Sequence, residues 1–192
     1  MSRRWWVGVA ALACVVAGCG GGDGGDPGGE STPSVTVSES PTAPSTTGAA
    51  GAAAPTLPPE AEGEDGAAAE AFVQHFWRMV NFAERTGETD ELVGLATESC
   101  DACRGGAEGI QDIHGSGGTI TGGDVTVESA DVVRLSGSRS AFAVTADLSF
   151  APQVIRVPGS PPERFDGGPG TYRFIVERHD GRWLVARWDA MS

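Results

Sequence analysis

The chain has 192 residues, 29 of them Gly and 12 Pro, with a net charge of −13 from 13 basic and 26 acidic residues. The Gly and Pro excess beside an apolar share of 40% excludes a collagen, a coiled coil and a multi-span membrane protein, yet leaves enough for one core. The acidic balance excludes nucleic acid as a partner, because binding phosphate requires a positive field, and argues against adhesion of the surface to anionic headgroups. Seven prolines precede Ala67 and five lie between Pro152 and Pro169, with none from Ala67 to Ala151. This spread predicts a leader at residues 1–18, a tether at 19–66 and one domain at 67–192.

Arg3 and Arg4 precede an apolar run from Trp5 to Ala17. The run is too short to cross ~30 Å of hydrocarbon and has the length of a signal-peptide core. It ends in Val16-Ala17-Gly18-Cys19, which resembles the bacterial lipobox, an aliphatic and two small residues before a Cys. The resemblance implies that Cys19 becomes the first mature residue and carries a diacylglyceryl thioether. Each buried CH₂ then contributes ~0.8 kcal/mol, so the acyl chains hold the protein in the bilayer at the outer face of the plasma membrane. Ser2-Arg3-Arg4-Trp5-Trp6-Val7 also resembles a twin-arginine export motif, so the export route stays open between that and the general one.

Gly20 to Gly66 holds eleven Gly, seven Pro and eight acids without a base. Such a segment buries too little apolar surface to offset its ordering entropy. As a random coil of 47 residues it would span roughly 35–40 Å. Its expected role is spacing, with the Ser/Thr/Pro stretch from Ser31 to Thr47 either bare or O-glycosylated.

In the domain, Ala67 to Thr86 has helical periodicity. Phe72, Phe76, Met79, Val80 and Ala83 mark one stripe, Val73, Trp77 and Phe82 widen it, and Gln74, Arg78, Asn81 and Arg85 fall opposite. Gly87 is the expected stop. Thr89 is the expected cap of a short second helix through Leu92 and Val93. A third helix is expected from Asp101 to His114, loosened by Gly105, Gly106 and Gly109. After Gly118 the period becomes two. Val125 and Val127 open a strand, Phe142 to Phe150 form the clearest one, and Tyr172, Phe174 and Val176 mark another. Asp180-Gly181 predicts a hairpin turn into a last strand, Arg182 to Asp189. There Leu184, Ala186 and Trp188 alternate with Trp183 and Val185, which suggests either a strand covered on both sides or an outer sheet face, carrying Trp183, open to a second copy of the chain. Ala151 to Gly170, with Arg156, Arg164 and Phe165, reads as a long proline-rich loop, either disordered or a candidate recognition loop overhanging the cavity mouth.

Helices followed by antiparallel strands give an α+β plan, with helices on one face of a curved sheet. The aromatic-rich first helix, Thr-Asp-Glu-Leu at 89–92 and the closing Asp-Gly-Arg-Trp-Leu-Val at 180–185 resemble the nuclear transport factor 2-like cone. Residues 72–113, with Thr-Gly-Glu-Thr-Asp-Glu-Leu at 86–92 and Glu-Ser-Cys-Asp-Ala-Cys at 98–103, are similar to an actinobacterial family of secreted lipoproteins of unknown function. That resemblance implies a fold but no reaction.

Cys100 and Cys103 admit three readings: a redox dithiol, half a metal site or a structural disulfide. Zinc needs two further ligands, and His75, His114 and His179 show no paired spacing, so no metal and no cofactor is expected. Outside the membrane a Cys pair is most simply oxidised. His75, at the edge of the first stripe, and Asp147, the charge within the Phe142–Phe150 strand, are weak candidates for a general base. Both have a plainer reading, as an amphipathic edge and a solvated side chain.

The functional expectation is a lipid-anchored, non-enzymatic module that binds a small apolar ligand or an envelope protein. Its cavity, filled or open, would be lined by Phe72, Phe76, Phe142, Val144, Phe174 and Trp188. The alternative is a small pocket enzyme doing acid–base chemistry through His75 or Asp147.

Overall fold

The computed structural model describes residues 53–191. The expected leader, Cys19 and most of the expected tether lie outside the described residues. Three helices come first: α1 (Gly66–Thr86), α2 (Asp90–Val93) and α3 (Asp101–Gly115). Seven strands follow: β1 (Thr119–Gly122), β2 (Val125–Arg134), β3 (Ala141–Phe150), β4 (Gln153–Arg156), β5 (Glu163–Phe165), β6 (Gly168–His179) and β7 (Arg182–Met191). One antiparallel sheet runs β2-β3-β6-β7, and a smaller one runs β1-β4-β5.

Helix α1 is the keystone. The Asp65 carboxylate caps its start by accepting from the Ala68 N–H at 3.0 Å, and Gly87 ends it at φ 81°. Its buried face includes Phe72, Val73, Phe76, Trp77, Met79 and Phe82, as the stripe predicted. Asn81, expected on the polar side, instead bonds the sheet. Its amide donates to the Val125 carbonyl and its oxygen accepts from the Val125 N–H, both at 2.9 Å. The pair acts as two rungs of a strand ladder and fixes where β2 starts.

Two bulges shape the main sheet. One lies between Val127 and Ser129 on β2, the other on β7, where Ile175 pairs with Arg187 but Val176 pairs with Val185. Ala186 is therefore the extra residue. A bulge adds one residue, shifts the alternation and bends the strand. Trp183, Val185 and Trp188 consequently all face the helices, opposite Arg178, Val176 and Phe174. This corrects the expectation that Trp183 lies on an outer face. It is 4% exposed, 6.4 Å from the Phe72 ring and 5.7 Å from the Phe142 ring.

Ordered packing begins before Ala67. Pro59–Glu62 form a 3₁₀ turn that buries Ala61. The Trp183 indole N–H donates to the Gly63 carbonyl at 3.1 Å, and Arg178 Nη1 donates to that of Glu62 at 3.0 Å. Backbone carbonyls and one small side chain carry these contacts, which is why composition alone reads the segment as tether. The proline-rich stretch also differs from a simple loop. Its residues supply β4 and β5, with Pro152, Pro158, Pro161 and Pro162 outside the strands. Asp180 at φ 50° and Gly181 at φ 80° make the expected β6–β7 turn.

Candidate functional site

The predicted pocket residues separate into two groups. Phe72, Phe142, Val144 and Phe174 are buried within the core. Phe76 and Trp188 line a cavity of about 200 Å³ between α1, α3 and β7. The aromatic side chains fill the cone's centre, so the larger opening lies towards its rim.

That opening has a volume of about 630 Å³. It lies between the C-terminal half of α1, the β3–β4 corner and the β5–β6 link. Trp77, Phe150 and Tyr172 form its aromatic wall. The Trp77 ring meets Phe150 edge-on at 6.0 Å and Tyr172 at 6.2 Å, and Phe150 lies 5.6 Å from Tyr172. Arg164 and Phe165 line the rim, so the proline-rich stretch does overhang a cavity as expected, though as a hairpin. Two glycine-rich connections make the corner. Gly122 has φ 72°, and a Cβ there would lie 2.2 Å from the Pro152 carbonyl oxygen. The next residue, Gly123, donates its N–H to that carbonyl at 3.1 Å.

The ionisable group of the wall is Glu84, which the sequence reading did not single out. It follows Trp77 by seven residues, two turns along α1, and so shares its face. Gln153 Nε2 on β4 donates to Glu84 Oε2 at 3.0 Å. Burial pushes the Glu84 carboxyl above the usual carboxylate range, with Asp124 adding to the rise and the Gln153 hydrogen bond and the Arg85 charge pulling the other way. Arg85, the nearest guanidinium in sequence, is committed to Asp124. Among the described residues Glu84 has no ion-pair partner.

His75 and Asp147 do not meet in this site. His75 is 4% exposed, a correction to its placing at the stripe's edge, and its Nδ1 has no hydrogen-bond partner. Burial, then the Arg78 charge, lowers its pKa, so the imidazole is neutral. Asp147 lies exposed on the opposite, outward face of β3. It accepts from Thr171 Oγ1 at 2.7 Å and Ser129 Oγ at 2.9 Å, and these bonds hold its pKa down. Cys100 and Cys103 are at disulfide distance at the start of α3, with Cα atoms 5.3 Å apart. Thr89 precedes α2 as expected, but its hydroxyl accepts from Gln111 of α3 and caps nothing. No cluster of three or more metal-ligating side chains occurs among the described residues. No helix among them is long and apolar enough to cross a membrane.

The model of the family described as "Family of unknown function (DUF6318)" matches residues 41–189. The chain belongs to DUF6318. No curated protein matches the sequence of this DUF6318 member. Among solved structures, it is similar to the intermembrane space region of the chloroplast protein ARC6. The identity is 13% and the TM-score 0.50, over 67% of this chain and 97% of that one. The beta subunit of benzoate 1,2-dioxygenase from Burkholderia mallei is 9% identical at TM-score 0.45, over 67% and 90% of the two chains. An NTF-2 like protein of unknown function from Shewanella oneidensis is 14% identical at TM-score 0.40, over 65% and 99%. Likeness at such identity is one of fold. The fold of the described residues is α+β, helices packed against an antiparallel sheet.

Proposed function

We propose that this protein is a lipid-anchored extracytoplasmic binding module whose rim cavity takes a small molecule without transforming it. The observation that carries this reading is the cavity of about 630 Å³ walled by Trp77, Phe150 and Tyr172. Its volume falls within the ~300–1,000 Å³ of small-molecule sites, and a mostly apolar wall with few polar groups is their usual make-up. The expected partner is thus a compact, largely apolar ligand. A saturable complex with the neutral fluorophore N-phenyl-1-naphthylamine, weakened severalfold by Phe165→Ala at the exposed rim, is the expected result. Binding that neither saturates nor responds to Phe165→Ala would overturn it.

A second reading, a pocket enzyme, is favoured by one feature: burial raises the basicity of the Glu84 carboxyl, which suits a general base. Conversion of a bound ligand, abolished by Glu84→Gln with binding retained, separates the two. Anchoring rests on Val16-Ala17-Gly18-Cys19 at the end of the apolar run. In this reading Cys19 is acylated at the outer face of the plasma membrane and the following residues space the domain from it. The full chain should fractionate with membranes and incorporate labelled fatty acid, and Cys19→Ala should lose both. Retention of both by Cys19→Ala would refute the anchor.

A further inference from the structure

The chemistry of the rim cavity narrows the kind of molecule that fits. Its charged lining groups are three: Glu84 in the wall, and Arg164 and Asp166 on the exposed rim. The rim pair carries opposite charges two residues apart, so beyond their own separation their fields largely cancel. Glu84 is different. It is half-buried, held by a neutral amide and backed by the Trp77 ring's neighbours on the same helix face. A carboxylate in that setting has lost part of its hydration, and no cation pairs with it directly, the Arg85 charge offsetting only part of the effect of burial. Arg85 is bound to Asp124, and the His114 imidazole reaches only the Glu84 backbone carbonyl, at 2.9 Å.

An anion would be repelled by Glu84, and a neutral apolar molecule would leave the partly desolvated carboxylate uncompensated. A cation would satisfy it. Aromatic walls favour the same choice, because ring quadrupoles attract cations, most of all weakly hydrated organic ones. We propose that the cavity is a site for an organic ammonium ion, its head against the Glu84 carboxylate and its body along Trp77, Phe150 and Tyr172. This inference rests on the binding-module reading and names its ligand class.

Protonation of Glu84 would remove the counter-charge. Ammonium affinity therefore falls as pH drops through the Glu84 titration, and burial makes that fall begin above the usual carboxylate range. The groups facing Glu84 that would modulate this are Asp124 and Arg85 beside it, His114 from α3, Gln153 from β4, and Arg164 with Asp166 from the rim. An uncharged ligand of the same size would show no such fall.

The test uses the full chain purified in a nonionic detergent and three probes of similar size: phenethylammonium, 3-phenylpropan-1-ol and 3-phenylpropanoate. Binding is read by calorimetry at several pH values. The expected result is an affinity for phenethylammonium about tenfold above that for the alcohol, with the anion weakest. Glu84→Gln keeps an amide able to bond Gln153. It should erase the ammonium's advantage over the alcohol. Equal affinity of wild type for the ammonium and the alcohol would overturn the ammonium assignment and leave the binding module standing. Preference for the anion would overturn it in favour of Arg164 as the anchor. Failure of all three to bind would overturn both readings. The comparison on wild-type protein stands even if Glu84→Gln folds poorly.

Discussion

Trp183→Ala tests the strand alternation that the β7 bulge creates. With Trp183 on an outer face, the substitution would leave the monomer intact and disturb only self-association. With Trp183 inward, it empties a site between Phe72 and Phe142. Truncating a buried aromatic costs about 3–5 kcal/mol, the transfer loss plus a residual cavity. The indole bond to the Gly63 carbonyl adds little to that. Arg178 still donates to the same carbonyl, so no buried acceptor is orphaned. The cation–π placement of Arg178, 5.4 Å from the indole, would be lost too. The expected sum is about 4 kcal/mol, a fall in Tm of roughly 10–15 °C for a domain of this size. Trp183→Phe keeps a ring in the site and should cost about 1–2 kcal/mol. Urea unfolding followed by far-ultraviolet circular dichroism measures both, with light scattering in parallel. A Trp183→Ala protein within 1 kcal/mol of wild type that has changed oligomeric state would refute the inward placement.

His75 has a folded pKa below its ordinary 6.5 because burial penalises the charged ring. The unfolded chain therefore binds the extra proton, and stability is lost as pH falls through about 6.5. Urea midpoints from pH 8 to pH 5 should show this slope, and His75→Asn should flatten it; an unchanged slope would put the acid sensitivity elsewhere. Gly122→Ala should lower stability by roughly 2 kcal/mol or more. It combines a φ of 72° with a Cβ 2.2 Å from the Pro152 oxygen, and thermal melts will show no shift if the corner is slack. Alkylation of the purified, air-oxidised protein without reduction should leave Cys100 and Cys103 unmodified by mass spectrometry, whereas two alkylated thiols would exclude a disulfide there.

Periodicity recovered the elements whose side chains decide their fate alone. The α1 stripe from Phe72 to Ala83 and the β3 alternation from Phe142 to Phe150 are legible because burial selects every third or fourth, or every second, residue. What periodicity missed depends on a partner distant in sequence. Ala186 gives no sign of being a bulge, since the extra residue is defined by β6 opposite it. Asn81 looks polar and therefore outward, yet its amide matches a backbone donor and acceptor at Val125, 44 residues on. Glu84 reads as one more acid on a helix of mixed charge. Its importance comes from Gln153, 69 residues later. The one local clue was its two-turn spacing from Trp77, a carboxylate beneath an aromatic on the helix's buried side. Arg164 and Phe165 were found through loop length and proline content, although the prolines frame a hairpin.

The position of the cavity follows from how the core is filled. A cone built around small side chains would keep its hollow between the first helix and the sheet. Here Phe72, Phe76, Phe142, Phe174 and Trp183 occupy that space, and each is at most 4% exposed. Displaced from the centre, the opening forms where the sheet cannot close: beside Gly122 and Gly123, whose positive φ turns β1 into β2, and beside Gly167, which turns β5 into β6. Those connections bring Gln153 and the rim residues against the last turns of α1, where Glu84 is the acid that points inward. The same packing that stabilises the domain thus leaves a partly desolvated carboxylate at its edge. In a chain of net charge −13 such a group is surrounded by a field that concentrates cations, with screening over ~8 Å in physiological salt confining the effect to the rim. One helix thus serves both: its aromatic stripe packs into the core, and its Trp77 and Glu84 line the rim opening.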